Sequence, residues 1–199
     1  MLRPDLALVA SLVPDRSRVL DLGCGSGELL AHLAVTRGCR GTGIEIAPDA
    51  VLAAMAAGVN VLELDVDHGL DSFATASYDV VVLSRTLQTI HKPAMVLGEM
   101  GRIADRCIVS VPNFGLLRHR LRLLRGRMPM SIELPYAWHD TPNIRHTTLV
   151  DLEALFASLG LRVEQRIPLS PGGRRLRDDR LANLLAGNAV YVLRPTTLA

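Results

Sequence analysis

The sequence predicts an α/β protein whose mostly parallel β-sheet is covered by helices on both faces. Short β-branched runs alternate with stretches that have the apolar spacing of helices, as expected for successive β-α-β units. The runs VVVLS and CIVSV are almost continuously apolar, which is typical of strands buried on both faces. The seven predicted strands cover residues 18–22, 41–46, 59–64, 78–84, 106–111, 161–167 and 189–193.

Helices are predicted between and after these strands. Pro48 suits a helix start because it lacks the amide hydrogen that a first turn leaves unpaired, and Gly58 suits a helix end. The main predicted helices cover residues 28–35, 48–57, 68–74, 93–103, 116–124 and 148–159. The prediction is a single Rossmann-like domain over residues 1–199, in which residues 113–160 and 168–188 are insertions or loops.

Composition excludes several classes of protein. Apolar residues make up 49% and charged residues 21% of the chain, a balance typical of globular proteins. The net charge of +2 gives no bulk basic character, so we do not expect nucleic-acid binding. No apolar run reaches the length of about 18 residues that a membrane-spanning helix needs. The three cysteines lack metal-ligand spacing, so we expect no metal site and reduced thiols in a cytoplasmic protein.

The most informative stretch is VLDLGCGSGELL, residues 19–30, in which a strand runs through a glycine-rich turn into a helix. Gly23, Gly25 and Gly27 allow a sharp turn, and we expect a Cβ atom at these positions to push a ligand away from the backbone. The amides of the turn, including that of Cys24, then face the ligand at the positive end of the helix. The pattern predicts a ligand that lies against bare backbone, with its carboxylate oriented by these amides.

The acid before the turn distinguishes two classes of ligand. In the dinucleotide fingerprint G-x-G-x-x-G, the third glycine falls where Glu28 stands in this chain, one residue after Gly27. Asp21 would repel a pyrophosphate, whereas its carboxylate can accept hydrogen bonds from the ammonium group of an amino acid. We therefore predict that the ligand is S-adenosylmethionine (SAM), or its product S-adenosylhomocysteine, rather than a dinucleotide.

Acids also end the second and third predicted strands. Glu45 can accept both ribose hydroxyls, and Asp65 can accept a hydrogen bond from the adenine amino group, with Val66 supplying an amide. Because ligands of open α/β sheets bind at the carboxyl ends of the strands, acids at three successive strand ends favour one shared site. The predicted ligand-binding residues are Asp21, Gly23, Cys24, Gly25, Gly27, Glu45, Ile46, Asp65, Val66 and Ser84.

With these residues, the chain resembles the class I SAM-dependent methyltransferases over about residues 18–112. The segments SVPNFG, LLRGRMP and LPYAWHDTPNIRHTT extend the resemblance to nearly the whole chain. Together with LSRTLQTIHKP they are similar to the MetW family, which is named for methionine biosynthesis. Arg85 stands where that family often has glutamine and adds a charge beside the site. The resemblance implies an association with homoserine O-acyltransferase, whose activity a MetW-like chain is expected to raise as a protein partner.

The sequence leaves open whether the chain is a regulator or an enzyme. A methyltransferase must exclude water and align its acceptor, yet the 17 residues before Arg18 allow only a minimal lid. No catalytic residue is assigned, because His91, His139 and His146 are candidate general bases that are more simply explained as surface or loop histidines. We predict a partner of homoserine O-acyltransferase, with an active methyltransferase on an unidentified small-molecule acceptor as the alternative.

Two segments after the fifth strand each suit more than one role. The stretch LLRHRLRLLRGRMP predicts an amphipathic helix with Leu117, Leu121 and Leu124 facing inward and arginines in solvent, while a partner surface and, less favoured, RNA binding stay open. Tyr136 and Trp138 lie in a proline-rich loop. Core anchoring is the favoured role for these aromatic side chains, and a hydrophobic dock for a partner or an acceptor is the alternative.

Overall fold

The computed structural model describes residues 2–196, and the predicted domain bounds at residues 1 and 199 lie outside this range. The strands are β1 (Arg18–Leu22), β2 (Arg40–Glu45), β3 (Asn60–Glu63), β4 (Tyr78–Ser84), β5 (Ala104–Pro112), β6 (Leu161–Leu169) and β7 (Asn188–Pro195). The helices are α1 (Pro4–Leu12), α2 (Glu28–Arg37), α3 (Pro48–Ala56), α4 (Pro93–Ile103), α5 (Leu117–Leu124), α6 (Leu149–Ser158) and α7 (Ala182–Leu185). Within residues 2–196, no helix combines the length and the apolar character that crossing a membrane requires.

The seven strands form one sheet in the order β3-β2-β1-β4-β5-β7-β6. The first five strands run parallel to one another, whereas β7 is antiparallel to both β5 and β6. The predicted seven-stranded, mostly parallel sheet is therefore confirmed. The strand order reverses at β1, which has β2 on one side and β4 on the other. Sheets of this kind bind ligands in the crevice outside the carboxyl ends of the strands at such a reversal.

Helices cover both faces of the sheet, as predicted. On one face, α1 and α2 bury side chains such as Val9 and Leu33. On the other face, α4 and α6 bury side chains such as Leu97 and Phe156. Full burial of one such side chain stabilises the fold by about 1.5–3 kcal/mol. These two apolar layers fix the strands firmly, so the loops at the carboxyl ends of the strands are held on a rigid base.

Proline, glycine and a hydroxyl cap set several helix boundaries. Pro48 and Pro93 occupy the first positions of α3 and α4, where a missing amide hydrogen leaves no partner unpaired. Gly38 ends α2 with a φ angle of 63°, in the left-handed region that favours glycine. Thr148 precedes α6, and its Oγ1 accepts a hydrogen bond from the Asp151 amide at 3.3 Å. These helices begin and end close to the residues predicted from the sequence.

One predicted helix is wrong. Residues 68–74 form only a 3-10 turn over Leu70–Ser72. The Ser72 hydroxyl donates to the Gly69 carbonyl at 2.7 Å, and this local bond competes with continuation of a helix. A second 3-10 turn covers Leu87–Thr89, directly after β4.

The predicted orientation of α5 is also wrong. Leu117, Leu121 and Leu124 are 44%, 44% and 83% exposed, and among the described residues of this helix only His119 is buried. The helix lies after the end of β5, and its leucine face is only partly covered. The favoured core anchoring of the loop aromatics is wrong as well, since Tyr136 is 49% and Trp138 73% exposed.

Candidate functional site

A cleft of about 400 Å³ lies at the carboxyl ends of β1 to β4, where the reversal of strand order predicts a ligand site. One wall comes from the end of β2, a second from the segment after β3, and a third from the segment after β4. The lining residues are Gly23, Ile44, Glu45, Ile46, Leu64, Asp65, Val66, Asp67, Arg85, Thr86, Thr89, Ile90 and His91.

The turn from β1 into α2 forms the base of this site. Gly23, Gly25 and Gly27 have φ angles of 73°, 55° and 76°, all in the left-handed region. The amides of Gly23 and Cys24 both donate to the Ile44 carbonyl, at 2.8 and 3.0 Å. These bonds tie the turn to β2, so the glycine backbone has a fixed position beside the cleft.

The three glycines are needed for different reasons. A Cβ atom on Gly23 would lie 2.5 Å from Thr86 Oγ1, and one on Gly27 would lie 2.8 Å from Val59 Cγ2. These two glycines therefore allow the chain to pack against itself, which corrects the expectation that each of them makes room for a ligand. A Cβ atom on Gly25 would meet no atom within 4 Å. Gly25 is the glycine of the turn that leaves open space beside bare backbone.

Asp21 is a buried carboxylate at the end of β1, with 3% of its surface exposed. Burial raises its pKa from 3.8 to about 7, and repulsion from Glu45 adds to this effect. Among the described residues, no donor forms a hydrogen bond with the Asp21 carboxylate that would oppose the rise. An ionised buried acid without a donor is destabilising. A ligand ammonium group would supply the missing donor and the missing charge.

Glu45 ends β2 and accepts three backbone amides. Its Oε1 accepts hydrogen bonds from Ile46 and Ala47 at 2.8 and 3.0 Å, and its Oε2 accepts one from Gly25 at 2.8 Å. A carboxylate oxygen has two lone pairs, so Oε2 retains one for a ligand hydroxyl while Oε1 is occupied by the chain itself. Glu45 therefore holds the glycine turn in place in addition to lining the cleft.

The two aspartates after β3 have different surroundings. Asp65 contacts His68 Nδ1 at 2.8 Å and accepts from the Asp67 amide at 2.9 Å, and these bonds hold the pKa of Asp65 below its ordinary value. Asp67 is 5% exposed and accepts from the amides of His91 and Lys92, at 2.9 and 2.7 Å. The buried Asp67 carboxylate therefore joins the wall after β3 to the wall after β4.

The segment after β4 contains a strained backbone position. Arg85 has a φ angle of 57°, and its amide donates to the Ser110 carbonyl at 2.9 Å. A left-handed non-glycine residue costs about 1–2 kcal/mol, and such strain is often found at functional sites. The Arg85 guanidinium lies 3.7 Å from the Asp5 carboxylate of α1. Thr86 Oγ1 donates to the Ser84 carbonyl at 3.2 Å, which gives that carbonyl a partner within the chain.

The structure brings the predicted site residues to one region but not all of them to the cleft surface. The predicted residues that line the cleft are Gly23, Glu45, Ile46, Asp65 and Val66. The predicted residues that do not line it are Asp21, Cys24, Gly25, Gly27 and Ser84. Lining residues that the prediction missed include Asp67, Thr86 and Thr89. Their position directly after strand ends is the signal that could have identified them.

A second cavity, of about 280 Å³, lies beside the cleft. Its apolar wall includes Leu87, Val111, Phe114, Leu134, Leu152 and Leu155. The 3-10 turn Leu87–Thr89 contributes to both cavities and therefore separates them. The amides of Ile144 and Arg145 donate to the Gln88 carbonyl of this turn at 2.9 and 3.0 Å. The long segment after β5 is thus bonded directly to a wall of the ligand cleft.

The three candidate bases lie in different places. His91 lines the cleft with a largely exposed side chain, whereas His146 lines the second cavity and stacks on Phe114 with ring centroids 4.6 Å apart. His139 is exposed and contacts Trp138 edge to face, with centroids 5.4 Å apart. In the described residues, no group of three or more His, Cys, Asp or Glu side chains is arranged to hold a metal ion.

Solved structures of low sequence identity share this fold. The S-adenosylmethionine dependent methyltransferase from Mesorhizobium loti has a TM-score of 0.70 at 16% identity, covering 96% of this chain and 98% of that one. The SAM dependent methyltransferase from Archaeoglobus fulgidus has a TM-score of 0.68 at 17% identity, with coverage of 95% and 94%. The [4+2]-cyclase SpnF has a TM-score of 0.69 at 15% identity, with coverage of 96% and 80%. The predicted methyltransferase-like architecture is therefore confirmed.

Sequence comparison is more specific. The bifunctional methionine biosynthesis protein MetXA/MetW from Rhodopirellula baltica is 34% identical over 200 residues, which covers 95% of this chain and 32% of that protein. The chain thus spans about a third of the length of this relative. The family model described as methionine biosynthesis protein MetW matches residues 3–193. Because this match covers nearly the whole sequence, the chain belongs to the MetW family of methionine biosynthesis proteins.

Proposed function

We propose that the chain binds SAM or S-adenosylhomocysteine in its cleft and acts as a protein partner that raises the activity of homoserine O-acyltransferase. The observation that best supports ligand binding is Asp21, a buried carboxylate without a donor, close to a turn where Gly25 leaves open space. The partner role is supported by membership of the MetW family and by a Rhodopirellula baltica relative that is named for both MetXA and MetW.

The residues in and beside the cleft fit an adenosyl amino acid. Asp21 would accept the ammonium group, and the free lone pair on Glu45 Oε2 would accept a ribose hydroxyl. Asp65 and Val66, at the end of the adjacent wall, would receive the adenine edge. When bound, SAM supplies an activated methyl group on a sulfonium. The residues of the chain described above bind and orient this ligand.

The position of α1 favours a regulatory role over methyl transfer. Val9 of α1 is fully buried in the core with α2, and none of the described residues of α1 lines the cleft. Methyl transfer requires a site from which water is excluded, and an N-terminal helix placed in this way does not cover the ligand. A partner that covers the cleft would not need such a lid on this chain.

Calorimetry with SAM and S-adenosylhomocysteine tests the ligand site. A charge-assisted hydrogen bond contributes about 1.5–3 kcal/mol, so Asp21→Ala should weaken binding by about 10- to 100-fold. Asp140→Ala, at an exposed position outside the cleft, is the matched control. Wild-type affinity in Asp21→Ala would show that the ligand has been placed wrongly.

An acyltransferase assay tests the partner role separately. Addition of the chain to purified homoserine O-acyltransferase should raise the rate, and the chain and the enzyme should co-purify. The assay is repeated with saturating SAM and with saturating S-adenosylhomocysteine, because a ligand that raises partner affinity binds more tightly to the complex and one that lowers it binds less tightly. An unchanged rate with an enzyme that is otherwise active would refute the partner role.

The second cavity supports one alternative, an active methyltransferase on a small apolar acceptor. It shares the turn Leu87–Thr89 with the ligand cleft and has a mainly apolar wall, with Arg145 and His146 as polar groups. The fold alone does not decide between the two functions, because one fold hosts many activities. Acceptor-dependent conversion of labelled SAM to S-adenosylhomocysteine would support this alternative. No turnover over a broad panel of metabolites, with SAM binding demonstrated in the same samples, would count against it.

A further inference from the structure

α5 exposes its leucines rather than burying them. Leu117, Leu121 and Leu124 recur at the spacing of one helix face, and all three are at least 44% exposed. A helix with an apolar face normally packs that face against the core. Leu124 is largely exposed, and Leu117 and Leu121 are each nearly half exposed, so this part of the face is available to a molecule outside the chain.

The loop after α5 exposes further apolar side chains. Arg122 Nε donates to the Met128 carbonyl at 3.3 Å, which holds the start of the loop against the end of α5. Met128, Tyr136 and Trp138 then line one shallow depression. The exposed apolar side chains of this loop are Met128, Met130, Ile132, Tyr136 and Trp138, between 42% and 74% exposed. Exposed apolar side chains that are grouped along one segment are a common feature of interaction sites.

The same region is strongly basic. Five arginines lie between residues 118 and 127, and residues 114–132 contain no aspartate or glutamate. In the described part of the chain, none of these arginines forms an ion pair. Arg120 and Arg122 donate to backbone carbonyls, whereas the side chains of Arg118, Arg125 and Arg127 form no such bond with residues 2–196. The positive charge is therefore left for an acidic surface on another molecule.

We infer that α5 and residues 125–138, together called the docking surface, bind the acyltransferase of the proposed function, on which this inference rests. Such a partner would need a surface that is apolar at its centre and carries carboxylates at its border to match these residues. Trp138 and Tyr136 are the anchors, because large aromatic side chains provide much of the binding energy of protein interfaces. The arginines around them steer the encounter and fix its register.

A protein surface fits these features better than a membrane or a nucleic acid. α5 has only eight residues, about 12 Å of helix, so by itself it offers a small apolar face to a bilayer. The start of the loop is bonded to the end of α5, and the loop carries a buried acid, Glu133, between its exposed apolar residues. The overall net charge of +2 is low for a protein that binds nucleic acid.

Two exposed-site variants test the docking surface against a matched control. Trp138→Ala and Leu124→Ser remove side chains that are 73% and 83% exposed, so the fold should be retained. Val35→Ser removes an apolar side chain that is 87% exposed on α2, away from the docking surface. Calorimetry with purified homoserine O-acyltransferase should give a loss of affinity of about 30-fold or more for Trp138→Ala and no change for Val35→Ser. Unchanged SAM affinity in each variant verifies the ligand site and the fold.

Charge variants and vesicles complete the experiment. The double variant Arg118→Gln, Arg125→Gln should flatten the salt dependence of acyltransferase binding, since these guanidinium groups are free to pair with the partner.

If the wild-type chain binds the enzyme and Trp138→Ala and Leu124→Ser bind equally well, the docking surface is wrong while the proposed function stands. If the wild-type chain neither binds nor activates the enzyme, the proposed function fails and the inference with it. Binding to anionic phospholipid vesicles that Trp138→Ala abolishes, without effect on enzyme binding, would assign the surface to a membrane and overturn the inference.

Discussion

The carboxylates of Asp21 and Glu45 lie beside the glycine turn, and their charges link folding stability to ligand binding. Burial raises the pKa of Asp21 from 3.8 to about 7, with Glu45 repulsion as the lesser cause. Between these two pH values, the folded chain holds a proton that the unfolded chain has lost. The stability contributed by this group is therefore fully present below about pH 4 and falls as the pH rises to about 7. One pKa unit corresponds to about 1.4 kcal/mol, which sets the upper limit of the slope per pH unit.

Asp21→Asn should remove this pH-dependent loss of stability. The amide has nearly the shape of the acid but no charge to bury, so the unliganded variant should be more stable than the wild-type chain at pH 8, by about 1 kcal/mol or more. Urea unfolding at pH 5 and pH 8 measures the difference. Asp140→Asn, at an exposed position, should leave the pH dependence as it is in the wild type. If the free energy of unfolding of Asp21→Asn changed with pH as steeply as that of the wild type, Asp21 would not titrate in this range.

SAM affinity should depend on pH through the same carboxylate. A ligand ammonium binds the ionised form of Asp21, so below about pH 7 the acid must release a proton before it can pair. Calorimetry at pH 8, 7 and 6 should show affinity falling by up to about tenfold per unit below pH 7. The Asp21→Asn variant should bind weakly with a flat profile. A wild-type affinity that rises as the pH falls would contradict an ammonium contact at Asp21.

At the scale of elements, the turn between β1 and α2 shows how similar residues can serve different purposes. A Cβ atom on Gly27 would overlap Val59, while one on Gly25 would lie in open space near Glu45. Both residues have positive φ angles, so both substitutions carry a conformational cost. Only the substitution at Gly27 adds overlap with the core, and only the one at Gly25 adds a group to open space.

Gly25→Ala and Gly27→Ala should therefore separate stability from binding. Gly25→Ala should lower the free energy of unfolding by about 1–2 kcal/mol, the cost of a left-handed alanine. Gly27→Ala should cost about 1–3 kcal/mol more, because Val59 must move. SAM affinity should fall more in Gly25→Ala, measured at a temperature where both variants are folded. Equal stability of the two variants, by urea unfolding, would contradict the packing role of Gly27.

The sequence predicts the positions of helices and strands better than it predicts which residues pack against them. The boundaries of α3 and α4 follow from proline at the first helical position, a local signal that needs no tertiary neighbour. The leucine spacing of α5 identifies an apolar face but not whether another element packs on it, so the exposure of Leu124 could not be predicted. Asp67 was missed for a related reason, because its partners His91 and Lys92 are 24 and 25 residues away.

At the scale of the whole molecule, the cleft and a polar network lie on different parts of one sheet. Glu153 Oε1 accepts from Tyr191 Oη and from Arg166 Nη1, both at 2.8 Å, and Arg166 also bonds to Asp179 at 2.9 Å. This network joins α6 to β6 and β7. In the sheet, β4 and β5 separate β7 from β1. With strands about 4.8 Å apart, the network is roughly 14 Å from the strand that carries Asp21.

This separation predicts that a defect in the network and ligand binding contribute additively to stability. Glu153→Ala leaves the buried Tyr191 hydroxyl without its acceptor and should lower the free energy of unfolding by about 1–3 kcal/mol. Tyr191→Phe, which keeps the bond between Arg166 and Glu153, should cost less, about 1 kcal/mol.

SAM at 100 times its dissociation constant should raise the free energy of unfolding by about 2.7 kcal/mol in the wild type and in both variants. Sites more than about 7–10 Å apart usually contribute independently to stability. Urea unfolding with and without SAM measures all three increments, and the sheet should unfold in one transition each time. If the increment in Glu153→Ala differs from that of the wild type by more than about 1 kcal/mol, the two ends of the sheet are energetically coupled. Ligand binding would then be coupled energetically to distant residues through the strands. The coupling would not be limited to the turn Leu87–Thr89, to which the segment after β5 is bonded.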